Sequence, residues 1–172
     1  DVYKRQEEDW FWWRQHDLDR GHLSEEQKEY FENKAVWLCA RSEDVGARNG
    51  RKLAHMAEDE KKLVHQIRAE HSSKSARNQP ASAYEGLRPV INLVRGCKVM
   101  LNRNVAYRYG LANGARGTLV GVVYGHGSAA GSFPEACVVD FPDYCGPTFY
   151  KGQATWVPIL PMLSFKEGTN MS

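Results

Sequence analysis

Glycines stand at 110, 114, 117 and 121 in the stretch GLANGARGTLVG. Their spacing would line all four along one face of a helix, as in small-residue pairs of membrane helices. It equally suits a row of turns and bends between strands. The residues between them decide. Asn113-Gly114 is a turn dipeptide that tolerates positive φ. Thr118, Val120, Val122 and Val123 are β-branched and favour strands. The stretch is therefore expected as turn and strand, with Gly117 and Gly121 at bulges or bends where a small sheet curls. Gly96, Gly110, Asn113, Gly114 and Gly117 are the expected structural turn positions.

The neighbouring segments follow the same grammar. CKVMLNR (97–103), VAYRY (105–109), ARGTLVGVVYG (115–125), EACVVDF (135–141) and QATWVPI (153–159) read as short strands. GHGSAAGS (125–132) and PDYCGP (142–147) read as a loop and a turn between them. In VAYRY, Val105, Tyr107 and Tyr109 alternate with Ala106 and Arg108, the period of a strand. Short strands with frequent turns predict a small β-barrel.

The first half reads differently. DVYKRQ (1–6) resembles the translation of a transposase-end sequencing adapter, and it is set aside from fold reasoning. On that view the chain is an internal fragment of a longer protein. DWFWWRQHDL is expected as a short helix docking by Trp10 and Trp13. LSEEQKEYFENK places Ser24 three residues before Gln27, a capping box. AVWLCA (35–40) is a short apolar run, as for a strand buried on both faces. SEDVGARNGRKLAHM offers Ser42 as an N-cap, with Val45, Asn49 and Leu53 at helical spacing. KKLVHQIRAEH reads as a further strand. Strand, helix, strand predicts a parallel α/β sheet. Residues 72–89, rich in Ser and Ala and holding two prolines, read as a linker.

Charge is distributed unevenly. Residues 72–118 hold eight Lys or Arg and a single carboxylate, Glu85, whereas the flanking segments are acidic on balance. A positive block of this kind is the footprint expected for a polyanionic partner; the alternative is a solvated basic loop. No apolar stretch is long enough to span a bilayer as a helix. The four cysteines, Cys39, Cys97, Cys137 and Cys145, have no C-x-x-C spacing and read as isolated buried thiols of a reducing compartment rather than metal ligands. His65 and His71 lack an acidic or Cys partner at ligand spacing, so no metal site is expected. Glu58, Asp59 and Glu60 read as a solvated helix end.

One family carries most of these features in order. GLRPVINLVRGCKVMLNRNVAYRYGLANGARGTLVGVVYG resembles a segment of the Pif/RecD-like DNA helicases of superfamily 1B. The matching positions are Gly96, Val99, Met100, Leu101, Asn104, Gly110, Leu111, Asn113, Gly114, Gly117 and Leu119. FPEACVVDFPDYCGP and WVPILPM are similar to segments that follow in that family, and VWLCARSEDVGARNGRKL and IRAEHS to segments that precede. The resemblance covers roughly residues 9–165. It implies an α+β arrangement: part of the second RecA-like domain over 7–75, a linker over 76–89, an inserted SH3-like β-barrel over 90–165 and a truncated tail over 166–172.

The resemblance further implies a parent protein that binds ATP and Mg and moves 5′ to 3′ on single-stranded or forked DNA, in partnership with the missing RecA-like portions of the same chain. It implies an intracellular setting, nuclear or mitochondrial in a eukaryote. This sequence lacks a G-x-x-x-x-G-K-[ST] phosphate loop and the family's later T-I-H-K-S-Q-G-like motif. No catalytic residue and no cofactor is therefore assigned to the fragment. The DNA-contact candidates are Asn49, His71, Lys98, Arg103, Asn104, Tyr107, Arg108 and Arg116, since single-strand channels combine cations with stacking aromatics. Asn104 and Asn113 equally suit turns, and Tyr107 and Tyr109 equally suit a core. A second reading is a non-enzymatic nucleic-acid-binding barrel, because GLANGARGTLVGV also looks like the Gly-spaced strand of KOW-type barrels. A third is a protein-interaction module.

Overall fold

The computed structural model describes residues 23–33, 35, 37–59, 61–71, 74–78, 87–127 and 132–163. The elements are α1 (Glu25–Asn33), α2 (Ser42–Asp59), β1 (Val64–Arg68), α3 (Lys74–Arg77), β2 (Val90–Val94), β3 (Lys98–Met100), a 3-10 turn (Tyr107–Tyr109), β4 (Arg116–Val123), β5 (Ala136–Asp140) and β6 (Trp156–Ile159). This is a mixed α+β chain with two antiparallel sheets, β1-β2 and β3-β4-β5-β6. It divides into two units, Asp1–Gly46 and Ala47–Ser172, with the division inside α2.

In the first unit the capping box forms as its spacing requires. The Ser24 amide donates to Gln27 Oε1 (2.9 Å), and the Gln27 amide donates to Ser24 Oγ (3.2 Å). Two amides left unpaired by the helix start are thereby satisfied. The following run departs from expectation. Residues 37–39 form no strand, and Leu38 is 95% exposed. The Trp37 indole N–H donates instead to the Phe31 carbonyl (2.8 Å), folding the chain back on α1. A short apolar run does not by itself distinguish a buried strand from an irregular segment. The docking helix expected at Trp10 and Trp13 lies outside the described residues.

The second unit is built on antiparallel pairing, not on the parallel sheet that the strand-helix-strand order predicts. β1 pairs antiparallel with β2, from Val64 opposite Val94 to Arg68 opposite Val90. A tight turn then passes the chain into β3: the Cys97 amide donates to the Val94 carbonyl (2.9 Å), with Gly96 at φ +89. β3, β4, β5 and β6 follow as an up-and-down meander. The sheet stays open, because β3 and β6 are its two edges and do not pair; the expected closed barrel does not form. VAYRY is the other departure. Its expected strand is reduced to the 3-10 turn at Tyr107–Tyr109, ended by Gly110 at φ +83.

One face of the meander is apolar. Leu111, Leu119, Val139, Phe141, Val157, Cys97 and Tyr144 form the buried cluster, and Leu53 and Met56 of α2 pack against it. Leu53 and Met56 are three residues apart, hence on one helix face. Gly117 is essential to this packing. A Cβ there would sit 2.5 Å from Val139 Cγ1, 2.7 Å from the Asp140 carbonyl and 3.0 Å from Phe141 Cδ1. Its absence lets β4 lie against β5 and Phe141. The bulge that curls the sheet falls between Leu119 and Gly121, so of the two expected positions it involves Gly121 and not Gly117.

Gly50 of α2 gives the opposite case, since a Cβ there would meet nothing within 4 Å. Gly117→Ala is expected to destabilise by about 1–3 kcal/mol through overpacking. Gly50→Ala is expected to stabilise by about 0.5–1 kcal/mol by improving helix propensity. Urea unfolding of the two variants should therefore shift the midpoint in opposite directions.

Candidate nucleic-acid interface

Between β3 and β4 the chain makes a long excursion, residues 101–115, which backbone bonds close at three levels. At the base, the Leu101 amide donates to the Ala115 carbonyl (2.9 Å) and the Gly114 amide to the Leu101 carbonyl (2.7 Å). Farther out, the Ala106 and Leu111 backbones exchange bonds of 3.1 and 3.2 Å, and the Val105 amide also donates to Leu111 (2.9 Å). At the tip, the Tyr109 amide donates to Ala106 (2.9 Å), forming the 3-10 turn. Leu111, 2% exposed, anchors the excursion in the core. Gly110 allows the 142–147 turn to close over it, since a Cβ at Gly110 would lie 2.6 Å from the Asp143 carbonyl. The Cys145 amide completes that contact by donating to the Tyr109 carbonyl (3.3 Å).

Asn104 has a structural task here. Its Oδ1 accepts the Asn113 amide (2.8 Å), which carries the turn at Asn113-Gly114. With the loop pinned and Leu101, Ala106, Leu111 and Ala115 turned to the core, the side chains at its tip are left exposed. Tyr107 is 76% exposed, and Arg108 beside it is exposed as well. Tyr109 meets Tyr144 edge-on (centroids 6.5 Å), and Tyr144 meets Phe149 (6.3 Å), so an aromatic row extends from the excursion across the neighbouring turn. The Tyr144 hydroxyl donates to the Pro147 carbonyl (2.9 Å). Desolvation, with Tyr109 and Cys145 adding to it, pushes the Tyr144 phenol above its ordinary value.

The stem of the excursion contributes a second group. Lys98 stands opposite Thr118, and Met100 opposite Arg116. Directly opposed residues of an antiparallel pair share a face. Lys98, Met100, Thr118 and Arg116 thus lie on the face away from Val99, Gly117 and Leu119. Lys98 Nζ donates to Thr118 Oγ1 (2.9 Å), and Lys98, Met100 and Arg116 are exposed. On the diagonal of such a pair the Lys98 and Arg116 side chains start about 7–8 Å apart. Lys98, Arg108 and Arg116 form no ion pair among the described residues.

At the foot of the loop lies an open depression of about 370 Å³ lined by Asn102, Arg103, Asn104, Asn113 and Met162. Arg103 Nη1 reaches the Leu163 carbonyl at 3.5 Å, the long limit of a hydrogen bond. Arg103, Asn104, Tyr107 and Arg108 thus sit on the excursion, and Lys98 and Arg116 on its stem. Asn49, exposed on α2, and half-buried His71, after β1, line neither the depression nor the stem. Gly96, Gly110 and Gly114 occupy positive-φ turns, whereas Gly117 stands inside β4. Sequence reasoning missed Asn102 and Met162. Asn102 is two residues before Asn104 and was within reach of a local reading; Met162 arrives from beyond β6 and had no local signal.

The thiols are not uniformly buried as expected. Cys97 is buried and Cys137 half-buried, while Cys145 is exposed at the edge of the aromatic row. Burial pushes the Cys97 and Cys137 thiols up, and the proximity of Cys97 adds to the effect at Cys137. No group of three or more His, Cys, Asp or Glu able to hold a metal ion occurs among the described residues. No helix among them is long and apolar enough to cross a membrane.

Compared with known proteins, the chain matches no family model and no curated protein.

Two variants test the assignment of Asn104 to structure. Asn104→Ala removes the acceptor of the Asn113 amide and is expected to cost about 1 kcal/mol of stability. Asn104→Asp keeps an acceptor and should recover most of it, as read by thermal unfolding. In a limited iodoacetamide reaction followed by mass spectrometry, Cys145 should be labelled before Cys97 and Cys137, whose raised thiols hold less thiolate.

Proposed function

We propose that this chain is a single-strand-handling piece of an ATP-dependent 5′ to 3′ DNA helicase of the Pif/RecD-like kind. In this reading residues 7–75 belong to its second RecA-like domain and 90–165 to an SH3-like insert. The observation that carries the proposal is the pinned excursion between β3 and β4. It holds Arg108 and, on its stem, Lys98 and Arg116 exposed and outside any ion pair among the described residues, beside exposed Tyr107. Cations meet phosphates, and an aromatic ring offers a stacking surface indifferent to sequence. The order of the sequence motifs around this excursion supports the family assignment. In this reading ATP and Mg would be held by a phosphate loop, which the present sequence does not contain.

Binding of single-stranded DNA by the chain should weaken steeply with salt. Replacing Lys98, Arg108 and Arg116 together by Ala should reduce the slope of log K against log salt by about 2, on the scale of ~0.7 per phosphate contact. An unchanged slope would return these residues to an ordinary solvated surface. The purified chain with single-stranded DNA should show no ATP hydrolysis above background; a steady turnover would contradict the assignment. A phosphate loop upstream and a T-I-H-K-S-Q-G-like segment downstream in the genomic sequence are expected, and an intact gene without them would favour a stand-alone binding module.

A further inference from the structure

We infer that the depression at the foot of the excursion takes one unpaired nucleobase, so that the chain grips a single strand by a base as well as by its phosphates. The inference rests on the nucleic-acid reading above and adds a site to it. The lining is Asn102, Arg103, Asn104, Asn113 and Met162, brought together from the excursion and from the segment after β6. Its chemistry is unlike that of a phosphate cradle, which gathers several cations or a nest of backbone amides. Here carboxamides predominate. The Asn102 and Asn113 side chains have no hydrogen-bond partner among the described residues, and each offers both a donor and an acceptor. Asn104 spends its oxygen on the Asn113 amide, which leaves its amino group to donate.

Paired donors and acceptors at the end of a short side chain match the edge of a base, and Asn pairs bidentately with adenine. Met162 supplies a polarizable thioether suited to contact with an aromatic ring. Arg103, whose Nη1 reaches the Leu163 carbonyl, brings a planar guanidinium to the same wall, a face on which a ring can stack. The depression, about 370 Å³, is open to solvent, so a base lying in it would keep one side exposed. Base edges are free to enter only where the strand is unstacked and unpaired, so the occupant is single-stranded.

The test compares two strands of equal phosphate count, a short oligodeoxyadenylate and an abasic strand, by fluorescence anisotropy with the whole chain. The adenylate is expected to bind on the order of tenfold more tightly, the scale of one well-held base. Asn102→Ala with Asn113→Ala should erase that ratio while leaving the salt slope unchanged, with circular dichroism confirming the fold. Met162→Ala, which touches neither turn, should reduce the ratio in a separate background. Equal binding of both strands would overturn the base site and leave the phosphate-tracking reading standing. A tenfold ratio that persists in the double variant would also overturn it, by placing the base elsewhere. Failure to bind either strand would overturn both readings together.

Discussion

The close approach of β4 to β5 at Gly117 is the constraint on which the rest of the second unit depends. Because position 117 has no Cβ, Val139 and Phe141 fill the inner face of the sheet, and Leu119 and Val157 close around them. Leu111 enters the same cluster. The excursion that carries Leu111 is therefore held by the core and not only by its own hydrogen bonds. A loop of this length would otherwise be costly to order. Here the ordering is shared among a buried leucine, the Asn104 side chain and the 142–147 turn, and the outward residues need not contribute to it.

That division of labour gives the surface its character. Inward positions on the stem are glycine and aliphatic; outward positions are Lys98, Met100, Thr118 and Arg116. At the tip, the backbone of Tyr109 is bonded while Tyr107 and Arg108 project. Because the backbone of the loop is already ordered, contact with a ligand costs its exposed side chains rotamer entropy but needs little further ordering of the chain. The aromatic row through Tyr109, Tyr144 and Phe149 extends the same surface toward the 142–147 turn.

Much of this was legible from local signals. Ser24 and Gln27 announce the start of α1, and the β-branched runs announce β4, β5 and β6, because caps and strand patterns act over a few residues. Asn113-Gly114 announces its turn for the same reason. VAYRY was misread because its alternation is overridden by Gly110, whose positive φ ends a 3-10 turn as the chain reverses to bring Leu111 opposite Ala106. The apolar run at 35–40 was misread because its hydrophobicity carries no information about which partner strand is present. The antiparallel pairing of β1 with β2 joins segments more than twenty residues apart, and no local pattern specifies it. The depression was invisible for the same reason, since Met162 joins the asparagines in one lining only once β6 is in place.

The central claim is that the β3–β4 excursion is where the chain meets a nucleic-acid strand. Amide chemical-shift mapping of the isotope-labelled chain during titration with single-stranded DNA tests it most directly. The account predicts that the perturbed amides cluster at residues 98–118, with Lys98, Arg103, Tyr107, Arg108 and Arg116 among them, while β1 and α2 stay unmoved. Perturbations confined to β1, α2 or the β5–β6 edge, with the excursion silent, would contradict it.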